Sequence, residues 1–187
     1  MEPGTRNTAA EMTADEIEGT STEMDADYYR LLYDYCYWAR DRLLGAMAGM
    51  SEEDYSRPNG FTYGSIKAIF THILAAESAY LIRWQGGTVT QRITADDVPT
   101  VEALSARWRE EESKARAFFS KLDDAALKGE IVSNMRDGSE FRRALWVDLS
   151  QIVIHGTQHR SEAAEALTMV GRSPGDLDLF VYMREKA

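Results

Sequence analysis

Apolar residues return at three- and four-residue steps through four long stretches of this chain, the spacing of a helix with one buried face. The first stretch runs from Asp25 to Met50 and carries Tyr28, Leu31, Leu32, Tyr35, Trp38, Ala39, Leu43 and Met47. Asp25 or Asp27 is placed to cap its start. The second runs from about Ser65, the expected cap, to Trp84, with Ile66, Ile69, Phe70, Ile73, Ala76, Tyr80 and Trp84 as its stripe and Gly86-Gly87 as its stop. The third, about Thr100 to Leu122, uses Leu104, Trp108, Ala115, Phe118, Phe119 and Leu122. Its charges Arg107, Arg109, Glu110, Glu111 and Glu112 read as a solvated face. The fourth spans about Ala144 to Val170, with Gly171 where a C-terminal cap belongs and Pro174 beyond it.

Between these stretches the pattern changes. Ser51-Glu-Glu-Asp54 reads as the cap of a short turn, Arg57-Pro-Asn-Gly60 as a loop, and residues 88–98 as a connector. From Gly129 to Arg143 the period shortens. Glu130–Met135 and Glu140–Arg143 flank Arg136-Asp137-Gly138, and Asp-Gly is a hairpin turn signal. The tail from Asp176 to Lys186 is expected to close the structure with Phe180 and Tyr182. Residues 1–24 are polar and acidic without periodicity, and read as a flexible arm. The expectation is an all-α protein: one four-helix-bundle domain over residues 25–187, with a short β-hairpin inserted before the last long helix.

Composition narrows the function classes. With 187 residues, 44% hydrophobic and 28% charged, the chain suits one soluble domain. A net charge of −10 and the lack of a basic run disfavour nucleic acid and anionic membranes as partners. The single Cys36 excludes an internal disulfide framework and any multi-cysteine metal cage. No stretch reaches the roughly 18 apolar residues a membrane helix needs, and the N-terminus lacks a secretory pattern, so a cytoplasmic protein is expected.

The candidate chemistry lies in three histidines. In the fourth stretch the inward line reads Leu145, Leu149, Ile152, Gly156, His159, Ala163, Ala166 and Val170, and His155 lies about 40° from His159 around the helix axis. Histidines four apart can reach one point off a helix face, which makes them a recurrent two-ligand unit. His72, on the second stretch near its buried side, is the third histidine. Inward side chains on facing helices are how bundles build metal sites. The plainer alternative is two half-exposed histidines, one ion-paired with Glu162, and a satisfied core histidine at His72. Gly156 and Ala163 leave space over such a site or let another helix approach. Asp148 is the stronger candidate for holding an imidazole N–H and Glu77 the other, while Glu162 reads as a surface charge. Cys36, among aromatics too numerous for one face, reads as a core residue without an activating base. Arg160 reads as a surface salt-bridge partner.

Residues 28–50, 64–84 and 154–167, with His72 followed by Ala76-Glu77 and with His155-x-x-x-His159-Arg160, resemble the helices of DinB/YfiT-like proteins in order and motif. The resemblance covers about residues 25–183. It implies a bundle with a long crossover, a divalent metal (zinc or nickel) on His72, His155 and His159, and often a homodimer. Relatives of that kind include thiol-dependent S-transferases and a mycothiol-dependent maleylpyruvate isomerase. The family name refers to DNA-damage induction and implies no polymerase activity. Independently, a cation on three neutral ligands keeps its full charge and would lower the pKa of a bound thiol or water. The leading expectation is a metal-dependent thiol S-transferase of detoxification, acting on a small-molecule thiol and an electrophile. A metal-dependent hydrolase of small esters or amides, and a non-catalytic stress-linked metal-binding bundle, stand as alternatives.

Overall fold

A computed structural model describes residues 25–60, 63–134 and 138–187. The expected arm, residues 1–24, and most of the hairpin turn, residues 135–137, lie outside the described residues. The elements are α1 (Ala26–Ala46), α2 (Glu52–Ser56), α3 (Ile66–Trp84), α4 (Val101–Phe119), α5 (Asp124–Leu127), β1 (Glu130–Asn134), β2 (Glu140–Ala144), α6 (Leu145–Met169) and α7 (Leu179–Lys186). Among the described residues no helix is long and apolar enough to cross a membrane.

Side-chain caps set most helix starts. Asp25, Ser51, Ser65, Thr100, Asp123 and Asp178 each accept a hydrogen bond from a backbone N–H of the first turn that would otherwise lack a partner. α6 has no such cap; it leaves β2 directly, and its first N–H, on Leu145, donates to the Gly129 carbonyl at 2.8 Å. At its other end Gly171, at φ 76°, turns the chain back. The N–H of Gly171 then reaches the Thr168 carbonyl and that of Arg172 the Leu167 carbonyl, the paired bonds of a Schellman stop.

The core forms two layers along the bundle. One joins Leu43 and Met47 of α1 with Ile66, Ile69, Phe70, Ile73 and Leu74 of α3, Leu104 and Trp108 of α4, and Ala163, Ala166 and Leu167 of α6. The other joins Tyr29, Tyr33 and Tyr37 of α1 with Leu81 and Trp84 of α3, Ala115 and Phe119 of α4, and Leu145, Leu149 and Ile152 of α6. The late half of α1 thus meets the early half of α3, so α1 and α6 run one way and α3 and α4 the other. The chain crosses the bundle through residues 85–100 to start α4 parallel to α3. α6 packs against both α3 and α1. The hairpin pairs Glu130 with Ala144 through Asn134 with Glu140 in antiparallel register and leans on α3 and α6.

Two readings of helix faces are corrected. On α1 the inward line is Ala26, Tyr29, Tyr33, Tyr37, Arg40 and Leu43, while Tyr28 is exposed. Tyr35 and Trp38 are covered instead by α7, whose Tyr182 ring lies 6.0 and 5.6 Å from theirs. A second buried face explains why α1 carries more aromatics than one face can hold. On α4, Glu111 is not solvated: it is buried, with Arg107 and Lys114 on its carboxylate at 3.1 and 2.7 Å.

Candidate metal centre

The seam between α3 and α6 brings the three histidines together. The Ser65 cap fixes where α3 starts, and the buried Ile69 and Ile73 fix its rotation, so His72 in its second turn looks across at α6. On α6 the buried Ile152, Gly156 and Ala163 set the rotation that turns His155 and His159 toward α3. One ring nitrogen from each histidine lies within 4.8 Å of the others. His72 Nε2 and His155 Nε2 are 2.9 Å apart. The ring centroids are separated by 4.9 Å (His72–His155), 4.7 Å (His72–His159) and 4.4 Å (His155–His159). His159 is buried; His72 and His155 are half-buried.

The protons on these rings are disposed for ligation. His159 Nδ1 lies 2.8 Å from Glu162 Oε2. A carboxylate accepts only, so Nδ1 carries the hydrogen and Nε2 keeps its lone pair for the cluster. Burial, reinforced by the neighbouring imidazoles, lowers the pKa of His72 and pushes that of His155 down to about 4. Both rings are therefore neutral at pH 7, the state in which imidazole binds a metal. Tyr63, in the turn before α3, stacks on His72 at 4.3 Å and places its hydroxyl 2.9 Å from His72 Nε2.

The donor set fits a divalent cation. Imidazole nitrogens at about 2.0–2.1 Å from one ion sit roughly 3–3.5 Å from each other. The His72–His155 separation of 2.9 Å is already close to that spacing, and closing the widest pair from no more than 4.8 Å asks for about an ångström of side-chain rotation. The three residues named from sequence are thus the three that the fold collects.

The accompanying residues are distributed differently from the sequence reading. Asp148, the stronger candidate for an imidazole acceptor, is buried two turns before His155 and is held by Arg143 through both carboxylate oxygens. Glu77 accepts from the Trp108 indole at 2.8 Å, and burial raises its pKa. Glu162, read as a surface charge, is the carboxylate on a histidine. Its position three residues beyond His159, one turn along the same helix face, was the available sequence signal. Tyr63 carried none, since it precedes the helix and belongs to no periodic pattern.

Arg160 makes no surface salt bridge. It is buried at 4% exposure, donating to Thr157 Oγ1 at 3.0 Å and Cys36 Sγ at 3.3 Å. Its guanidinium packs against Gly156, with Nη1 only 2.7 Å from where a Cβ would sit. The space at Gly156 therefore belongs to Arg160 rather than to the histidine site. Burial outweighs the nearby Arg160 charge and raises the Cys36 thiol pKa, so Cys36 remains an unactivated core thiol.

The chain is similar to known proteins. A sequence model of the DinB family matches residues 20–186, which takes in every element described above and the last five residues of the expected arm. The chain is also 21% identical over 170 residues to the protein DinB of Bacillus subtilis (strain 168), covering 84% of this chain and 96% of that protein.

Proposed function

The chain belongs to the DinB family, and we propose that it is a metal-dependent thiol S-transferase acting in detoxification, in which His72, His155 and His159 hold zinc or nickel. The observation that carries this reading is the meeting of three imidazoles on facing helices, with one ring nitrogen of each within 4.8 Å of the others. A bound divalent cation supplies positive charge that lowers the pKa of a small-molecule thiol and favours its thiolate. His72 and His155, kept neutral by burial, do not compete by taking up protons. Glu162 holds the His159 ring in one tautomer and orientation. Three protein ligands would leave such a cation open to a thiol. Its sulfur forms the new bond to an electrophilic carbon, the leaving group departs with its bonding electron pair, and the thiol proton goes to solvent.

The test is a steady-state assay of the zinc- and nickel-loaded protein with several low-molecular-weight thiols and a chloronitroaromatic electrophile. Thiol consumption should exceed that of His159→Ala by roughly a hundredfold or more, the loss that follows when the activating ion goes. Equal rates in the two proteins would end the proposal. Turnover of an ester without any thiol would replace it with hydrolysis.

A further inference from the structure

Among the described residues, Tyr63 brings a hydroxyl to the point where the histidines converge. Its loop is closed at both ends: the Asn59 N–H donates to the Gly64 carbonyl at 3.0 Å, and Pro58 pairs with Ser65. The ring is held by two contacts, stacked on His72 at 4.3 Å with 25° between planes and edge-on to His159 at 5.2 Å with 85°. These contacts aim its oxygen at His72 Nε2, 2.9 Å away, and that same nitrogen lies 2.9 Å from His155 Nε2. Of the other described groups near the triad, Glu162 is taken by His159 Nδ1, and Arg92 acts on His72 through its charge.

An imidazole Nε2 has one lone pair in the ring plane. His72 therefore cannot accept from Tyr63 and ligate a cation through the same atom. Once His72 is a ligand, the phenol O–H is released to another acceptor, water or a ligand in the site. We infer that Tyr63 donates its hydroxyl hydrogen bond to the small anion, thiolate or inorganic, that takes the open position of the triad site. The inference rests on the metal reading proposed above but not on the thiol as substrate. Tyr63 would make the site selective for anions able to accept a hydrogen bond from the α3 side, and its ring would cover His72 from solvent.

The experiment uses the full chain loaded with cobalt(II), whose visible spectrum reports ligands directly. Wild type and Tyr63→Phe are titrated with azide and, separately, with 2-mercaptoethanol; the phenyl ring preserves the stacking. Both proteins should take up one cobalt per chain with affinities within about twofold of each other, while the anion Kd rises roughly tenfold or more in Tyr63→Phe, the effect of losing one hydrogen bond to a charged acceptor. Azide and thiol affinities unchanged by the substitution would overturn the inference. So would loss of cobalt from Tyr63→Phe, which would make the phenol a metal ligand or a support of the triad. A tenfold effect on azide, with no spectral response to 2-mercaptoethanol in either protein, would uphold Tyr63 and discard the thiol reading. A wild type that takes up no cobalt would overturn both.

Discussion

Two polar clusters share helices α3 and α6, and they are built on opposite principles. In one, unlike groups meet. Arg160 donates to Cys36 and Thr157, Glu77 accepts from Trp108, and Arg40 joins Asp41 to Glu112 at 2.7 and 2.6 Å while lying 5.0 and 5.8 Å from the Tyr37 and Trp108 rings. In the other, three identical groups converge, one ring nitrogen of each within 4.8 Å of the others. The first, a cluster of opposite charges and donor–acceptor pairs, is largely matched within the fold, Arg40 Nη1 excepted, and needs no ligand for its charge. The second, built around three imidazoles with the Glu162 carboxylate on one of them, offers three nitrogen ligands that a divalent cation could join. The two adjoin in sequence at His159 and Arg160, yet the roughly 100° between neighbouring residues on a helix sends them to different clusters.

The sharpest way to break this comparison is to exchange losses between the clusters. His155→Ala should abolish metal binding, read by elemental analysis after dialysis against trace metal, and leave the metal-free fold within about 1 kcal/mol of wild type, since it removes one of three like groups rather than a complementary partner. Arg160→Met should do the reverse. Metal stoichiometry stays, and urea denaturation shows a loss of about 2–4 kcal/mol, because Cys36, Thr157 and the buried Glu77 lose their cation together. If His155→Ala holds metal as wild type does, the triad is not the site.

A smaller effect is expected at Glu162. Replacing it with Gln keeps the shape and weakens the hold on His159 Nδ1, and metal affinity measured by competition with a chelator dye should fall roughly 10- to 100-fold. Stability without metal should not change, since Glu162 is partly exposed rather than in the core. An unchanged affinity would mean that packing alone orients His159.

The smallest effect concerns protons. His155 titrates at about 4 in the fold and His72 below its ordinary value, whereas unfolded imidazoles titrate near 6.5. Between those values the unfolded chain binds more protons, so this contribution to stability is present above about pH 6.5 and is lost as pH falls toward 4. With chelator present, wild type should therefore lose more of its urea midpoint between pH 7 and pH 5 than His155→Ala does. Equal losses would show that His155 is not held neutral by its surroundings.

How much of this was legible beforehand varies by element. Ser65, Thr100 and Gly171 mark helix ends through local chemistry, and the structure puts caps and a stop at those positions. The change of period at Gly129 marks the hairpin, and the inward line of α6 was legible down to Ala166 because one strong stripe tolerates one rotation. The same line ends early, since Val170 is 47% exposed at the Schellman turn. On α1 the pattern was ambiguous because two faces are buried, one against the bundle and one under α7, and periodicity cannot separate two superimposed stripes.

The sequence by itself determined the helices, the hairpin and the His155–His159 pair, because each depends on residues within a few turns of one another, whereas the meeting of His72 with that pair is tertiary. Only the tertiary structure decided which groups accompany them. Tyr63 reaches His72 from a loop, Asp148 turns to Arg143, and Arg160 fills the space over Gly156 to meet Cys36, 124 positions earlier in the chain. Those partnerships are set by helix rotation and by competition among polar groups for a few buried partners. Both depend on the packed arrangement of all four long helices, which no local stretch of sequence encodes.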